Sequence, residues 1–538
     1  MARRHALMVV VVALLVAALI NAAAVASAVG GSAAGGGIRP AVDCSALAGA
    51  DFSQVPDAPS VIVSAAPTTE TVAGSPHTYC SVWGYISPQT YFGIKLPVTG
   101  WRGDYVQEGC GGFCGAANLT DVPETASGCR IVDNGQVVLA ADDAGHLTSN
   151  GLDALWGKDD LALRQVFGRT SEHSLAQIAK AVIARYYGRA PAYSYFDGCS
   201  DGGREALMLA QRYPDDFNGI IAGSPAGDFS ALMLYQAWLA RTNSDPAGHQ
   251  VLTAEKLPAL HDAVIRACGS GTDPNRIVDN PAGCSFDPAA LRCPTGTDTP
   301  SCLTPAQVDT ARALYRGPVG VDGQSLYPSV SVGGQRIGGE PYGSELAWKF
   351  WLAQVAADPK APADTSASLF ATNYYRYLAF WPNPPATSRI VDIPLNQQTL
   401  TAPTAVGPTL YDADDPDLSA FRAHGGKLLL YHGLADQVIP PWSTVDYYAA
   451  VERTAGGFAA SQAFSRLYLV PGGYHCLGGL PPTSGTPAAA DADFLTPMTN
   501  WVEHGQPPAA LSLSVPPPTG IGADVAETVT PTDALAHP

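Results

Sequence analysis

Charge is scarce in this chain. Only 14% of its 538 residues are Asp, Glu, Lys or Arg, against roughly 25% in average usage. Basic residues are scarcest: 30 Lys and Arg face 48 Asp and Glu, a net charge of −18 with histidine neutral. That balance excludes a nucleic-acid partner, because phosphate binding needs a basic face to release counterions. Long apolar runs are missing after the N-terminus, so no later segment is predicted to span a bilayer. Internal repeats and low-complexity stalks are missing too, which argues against an adhesive or structural role. Zinc-finger spacing is absent: Cys110 and Cys114 form a C-x3-C, but no matching Cys/His pair follows.

What is present is a 46% hydrophobic chain, enough for a large core and long enough for more than one lobe. Residues 1–28 read as a secretory signal peptide. Arg3 and Arg4 form its basic region, Leu7 to Ile20 its apolar run, and Ala26-Ser27-Ala28 a cleavage site, with Ala24-Val25-Ala26 as the competing one. The mature protein is then expected to be secreted or periplasmic, free of the membrane once the signal is cleaved. Eleven cysteines suit an oxidising compartment, and their odd number leaves at least one thiol free or shared between molecules.

Along the first half, strand and helix signals alternate. Val137–Ala140, Tyr193–Phe196 and Ile220–Gly223 read as short buried strands. Leu175–Tyr187 and Arg204–Arg212 read as helices. The order predicts an α/β fold with a mostly parallel sheet and helices on both faces. From 228 to 405 the strands fade, four cysteines fall in a Gly/Pro/Asp-rich stretch, and aromatics gather; this reads as an inserted lid. Strand signals resume at Lys427–Tyr431 and Arg466–Val470. The expected organisation is signal peptide 1–28, first part of the core 29–227, lid 228–405, and second part of the core with the C-terminal tail 406–538.

The chemistry concentrates at Gly198-Cys199-Ser200-Asp201-Gly202-Gly203, between a predicted strand and a predicted helix. That is the setting of a G-x-S-x-G nucleophile elbow, in which the tight turn projects the serine above the sheet. A serine hydroxyl needs a base, itself oriented by an acid. In such folds the acid and base follow in the order Ser, Asp or Glu, His, on loops after strands. Asp436 and His475 occupy those positions. His432 also follows a strand but precedes Asp436 and reads as structural. His146 reads as a packed loop histidine, and Asp412, Asp414, Asp415 and Asp417 as a solvated acidic loop. For the oxyanion hole, one backbone N–H is expected from Asp201. A second is expected from the glycine loop Gly109–Gly115, either Gly111 or Gly112. Cys199 adjoins Ser200 and Cys476 adjoins His475, so if serine and histidine meet, the two sulfurs are near enough to bridge.

These residues resemble the tannase and feruloyl esterase family of α/β-hydrolases, which also contains mono(2-hydroxyethyl) terephthalate hydrolases. The similar pieces are Cys110–Gly115, Asp142–His146, Tyr195–Glu205, Gln211–Asp216, Tyr431–Asp436 and His475-Cys476. The resemblance implies Ser200 as nucleophile, Asp436 as acid, His475 as base, and a Cys199–Cys476 disulfide. It implies a lid with a structural calcium ion, for which Asp273, Asn275, Asp279 and the Ile277 carbonyl are the matching oxygens, in a stretch one residue shorter and poorer in aspartate than the family's. Cys268–Cys284 and Cys293–Cys302 are the matching lid disulfides; the pairing of Cys44, Cys80, Cys110, Cys114 and Cys129 stays open. Asn373–Trp381 resembles the aromatic lid segment of feruloyl esterases, which points to Tyr375, Arg376 and Trp381 as substrate-binding residues. No counterpart is found for the arginine that grips the terephthalate carboxylate. The expected function is a serine carboxylesterase acting without a cofactor on a small ester of a hydroxylated aromatic acid, feruloyl or galloyl. The rivals are terephthalate monoester hydrolysis and a non-catalytic binding protein on the same scaffold. The oligomeric state is not predicted.

Overall fold

The computed structural model describes residues 37–536 apart from 121, 124, 149, 270–276, 320–324, 328–329, 333–334, 338, 354–364, 479–491 and 516–524. Residues 1–28 therefore lie outside the described residues.

Nine strands form one sheet: β1 (Ser60–Val72), β2 (Ser75–Ile86), β3 (Thr90–Pro97), β4 (Asp104–Glu108), β5 (Val138–Asp142), β6 (Tyr193–Cys199), β7 (Gly219–Gly223), β8 (Lys427–Gly433) and β9 (Ser465–Val470). Their spatial order is β1-β2-β3-β5-β4-β6-β7-β8-β9. The strands from β5 to β9 pair in parallel. Parallel strands covered on both faces read as unbroken apolar runs rather than alternating ones. Gly219–Gly223, for example, is buried at every position. Helices α1 (Ser171–Tyr187) and α2 (Asp201–Arg212) follow the strands and pack into the core with Leu175, Ile178, Val182, Leu207 and Leu209.

The β1–β2 arm is antiparallel and pairs all the way to its turn, Val72 opposite Ser75. Ala73 and Gly74 both take positive φ, 46° and 79°, as a two-residue hairpin requires. Ala-Gly is a weak hairpin signature beside Asn-Gly, so the sequence does not announce this arm. The C-terminal tail is also more structured than its composition suggests. Leu511–Val515 pairs antiparallel with Val525–Val529, and Leu511, Leu513 and Val529 join the core under β8 and β9.

Between β7 and β8 the chain leaves the sheet for about 200 residues. It forms α3 (Phe229–Thr242), α4 (Leu257–Cys268), α5 (Pro305–Arg316) and α6 (Ser366–Tyr377). Their apolar residues, among them Leu232, Leu260, Val308, Leu314 and Tyr374, make a separate core with Trp348. Disulfides Cys268–Cys284 and Cys293–Cys302 close its loops. A capping box starts α5, with Thr304 and Gln307 exchanging hydrogen bonds. Asp412, read from sequence as part of a solvated loop, is buried instead. Its Oδ1 accepts the Ser230 N–H at 2.8 Å, in the first turn of α3, where N–H groups have no helical partner. Among the described residues no helix is long and apolar enough to cross a membrane.

Candidate active site

The turn between β6 and α2 is built by glycines. Ser200 sits between them at φ 64°, ψ −118°, a region that costs a non-glycine residue about 1–3 kcal/mol and persists only where its surroundings fix it. The surroundings do so. Ser200 N–H donates to Gly223 O at 3.0 Å, and Ser200 O accepts from Arg204 N–H (3.1 Å) and Ala226 N–H (3.0 Å). A Cβ at Gly198 would lie 2.6 Å from Gly202 O, and one at Gly203 would lie 2.4 Å from Gly223 O. Only Gly at both positions lets strand, turn and helix close this tightly.

Asp436 and His475 stand on the loops after β8 and β9. Asp436 is fully buried. Its Oδ1 accepts N–H groups from Val438 (2.8 Å) and Ile439 (2.9 Å). Its Oδ2 lies 2.8 Å from His475 Nδ1. Burial alone would raise the Asp436 pKa, but the charge on His475 and the donors of His475 and His432 outweigh it and hold the carboxyl well below the usual range. Asp436 is therefore ionised, and His475 carries its proton on Nδ1, leaving Nε2 as an acceptor. Cys199 and Cys476 are bonded across 277 residues of sequence, which ties the serine turn to the histidine loop. Ser200 and His475 line one cavity of about 490 Å³.

His432, read from sequence as structural, has a more specific place. It is completely buried, with Nδ1 2.8 Å from Thr444 Oγ1 and Nε2 2.9 Å from Ile439 O. Nε2 is also 3.2 Å from Asp436 Oδ2. Two acceptors at Nε2 require a proton there, so His432 donates toward the acid. The four-residue separation from Asp436 at a strand end was the available signal. His146 is a packed loop residue, stacked on Trp156 with Nε2 2.8 Å from Phe113 O.

The glycine loop Gly109–Gly115 is closed by a Cys110–Cys114 disulfide. Its neighbouring donors are committed: Cys110 N–H to Glu205 Oε2 (3.0 Å), Phe113 N–H to Gly151 O (2.7 Å), Cys114 N–H to Gly111 O (2.9 Å). Gly111 and Gly112 line the cavity with Asp201. Gly112 has φ 64°, and a Cβ there would lie 2.4 Å from Gly151 O, so no other residue fits. Glu205 behind this loop went unnoticed in the sequence; its position on the α2 turn facing the glycines was the only clue.

Asn118 adds one polar side chain to the cavity wall, and the rest is mostly apolar. Phe229 and Leu232 of α3, Phe370 of α6, and Trp351, Leu152, Val438 and Ile439 line it. Among the described residues no lysine or arginine does. The substrate residues expected in the lid lie elsewhere. Phe370 faces the cavity, while Tyr375 and Arg376, five and six positions later on α6, turn to the helix's other side. They line a second cavity with Phe380, Ser388 and Arg389. Trp381 is 38% exposed, with the Arg164 guanidinium 5.3 Å from its ring centroid. Of the expected calcium ligands, Asp273 and Asn275 lie outside the described residues; Ile277 is buried and Asp279 exposed. Cys110, Cys114, Asp201 and Glu205 converge, but the oxidised sulfurs offer no thiolate to a metal. The remaining cysteines pair as Cys44–Cys80, leaving Cys129 free and buried.

A family model described as tannase and feruloyl esterase matches residues 74–531. The chain belongs to that family. It is thereby a carboxylic ester hydrolase. It is 30% identical over 499 residues to the mono(2-hydroxyethyl) terephthalate hydrolase of Piscinibacter sakaiensis, covering 83% of this esterase and 80% of that protein. It is 30% identical over 461 residues to a probable feruloyl esterase of Arthroderma benhamiae, covering 81% and 77%. Among solved structures, feruloyl esterase B from Aspergillus oryzae superposes with a TM-score of 0.71 at 22% identity, over 91% of this esterase and 96% of that chain. That likeness is one of overall fold.

Proposed function

We propose that the esterase cleaves esters of hydroxylated aromatic acids through an acyl-enzyme on Ser200. The observation that carries the proposal is the buried Asp436 carboxylate 2.8 Å from His475 Nδ1, beside a cavity that Ser200 and His475 share. His475 Nε2 takes the Ser200 proton as Oγ attacks the ester carbonyl. Charge develops on the carbonyl oxygen, where the N–H groups of Asp201 and of Gly111 or Gly112 receive it. The tetrahedral species collapses, and the alcohol leaves with the proton from His475. Water, deprotonated by the same imidazole, then releases the acid. Nucleophile, base and oxyanion donors all come from the chain, so catalysis needs no cofactor.

Phe229, Trp351 and Phe370 offer the acyl ring apolar and edge-to-face contacts. Among the described residues the wall holds no cation, which favours a neutral phenolic ring over a terephthalate monoester, whose free carboxylate would be desolvated without a charged partner. Five disulfides support an exported enzyme, as the N-terminal sequence suggests. The family resemblance extends the proposal to a structural calcium ion in the 268–284 loop; a lower Tm after chelation is the expected outcome, and an unchanged Tm rejects it.

Turnover of methyl ferulate, methyl gallate and mono(2-hydroxyethyl) terephthalate by the wild type and Ser200→Ala tests the central reading. The phenolic esters should be preferred, and Ser200→Ala should lose at least about 10³-fold in kcat. Wild-type turnover by Ser200→Ala rejects the assignment.

A further inference from the structure

Five residues after the nucleophile, Glu205 is 3% exposed in the middle of the site, yet the mechanism above gives it no task. Its carboxyl faces both halves of the oxyanion hole. On one side, Oε2 accepts the Cys110 N–H at 3.0 Å, and Oε1 lies 3.1 Å from Cys110 Sγ and 3.8 Å from Cys114 Sγ. On the other, a carboxyl oxygen of Glu205 lies within 4.8 Å of one of Asp201. The fit leaves no slack: a Cβ at Gly109 would lie 2.8 Å from Glu205 Oε2, and one at Gly202 would lie 3.0 Å from Cys110 O.

We propose that Glu205 is a positioning residue for the oxyanion hole, its carboxyl clamping the Cys110 end of the glycine loop against Asp201 so that the N–H groups of Gly111 or Gly112 and of Asp201 converge on one point. This rests on the triad reading above. Two facing carboxyls can hold each other only if one keeps its proton. The Asp201 carboxylate is held by Arg204 through Nε (2.6 Å) and Nη2 (3.0 Å), so it is the ionised partner. Glu205 is the protonated one. Burial and the negative charge of Asp201 push its pKa well up, with Asp142 adding to the rise; Arg204 and the Cys110 N–H oppose it. The other groups around it agree. From β5, Asp142 is raised to about 7, and from α1, Glu172 is raised well above its usual value. One guanidinium therefore stands among four buried carboxyls, and a neutral Glu205 O–H donates to Asp201 while its carbonyl oxygen receives Cys110 N–H. Ionisation of Glu205 removes that donor and sets two carboxylates against each other behind the oxyanion loop.

The test compares Glu205→Ala, Glu205→Gln and Ser200→Ala by kcat and KM on one aryl ester from pH 6 to 10, with Tm measured alongside. Glutamine keeps a donor and an acceptor but cannot ionise. Glu205→Ala is expected to lower kcat on the order of 10²-fold with KM within about twofold, the pattern of misplaced oxyanion donors. Glu205→Gln should keep kcat within about threefold of wild type at pH 7 and hold it at alkaline pH where the wild type declines. A folded Glu205→Gln with kcat more than about tenfold below wild type at pH 7, or an alkaline limb that Glu205→Gln leaves in place, overturns the clamp even if Glu205→Ala does not fold. An inactive Ser200→Ala with unaltered Glu205 variants sinks this inference alone; an active Ser200→Ala sinks the triad reading beneath it.

Discussion

The rim of the sheet and the inserted helices build opposite walls of one cavity by different means. At the rim, backbone constraint does the placing. Ser200 is held at φ 64° by three main-chain hydrogen bonds, Asp436 is saturated by N–H donors, and glycines pack where a methyl group would overlap backbone. In the insertion, side-chain packing does it. Phe370 reaches the cavity because it stacks on Phe113, ring centroids 4.2 Å apart, and Trp351 because its Nε1 donates to Gln236 at 2.6 Å. Rim geometry tolerates almost no change, whereas the helical wall can exchange one apolar residue for another. The contrast suggests that reaction chemistry is fixed by the sheet and substrate choice by the insertion.

That contrast can be broken most decisively at the acid. Asp436→Asn would remove the charge that orients His475, and kcat is expected to fall by about 10⁴-fold with KM little changed; steady-state kinetics decides it. Next comes Gly112→Ala, whose new methyl must displace Gly151 O. A displaced oxyanion donor predicts a kcat loss on the order of 10²-fold, and activity retained within a few-fold would show that the glycine loop is not the donor. On the other wall, Phe370→Ala should act chiefly on KM, raising it about 10-fold for a feruloyl ester and less for a small aliphatic ester. Equal effects on both esters would mean that Phe370 shapes the fold rather than the ring site.

The smallest expected effect concerns stability and pH. Glu108, at the end of β4, is buried beside Thr120 with its pKa raised by burial to about 8. A carboxyl whose folded pKa exceeds its unfolded one, about 4.3, binds more protons when folded. Its contribution is full below the unfolded pKa and is lost as pH rises through the folded one. Glu108→Gln should therefore make the fall in Tm between about pH 5 and 8 shallower, by a few degrees at most. Differential scanning calorimetry across that range would show it, and a slope identical to wild type would refute the protonation state.

Local signals carried the parts that depend on neighbours in sequence. The elbow was legible because strand, Gly-x-Ser-x-Gly and helix follow one another, and the parallel strands because burial on both faces leaves apolar runs. The β1–β2 arm was obscured by an Ala-Gly turn. Tyr375 and Arg376, expected from the resemblance of the lid segment, line a second cavity, because a segment's likeness does not say which side of α6 meets Ser200. Asp412 looked solvated because its partner, the first turn of α3, lies 182 positions away.

Sequence by itself determined the α/β order, the high cysteine content, and the placing of Ser200, Asp436 and His475 in loops at strand ends, since each is written within a few consecutive residues. Tertiary structure alone decided which aromatic wall faces Ser200, that His432 donates toward Asp436, and that Glu205 lies between the glycine loop and Asp201. Those relations join segments tens to hundreds of residues apart. Their energies come from desolvation and from distances of about 3 Å between groups, which no linear spacing encodes.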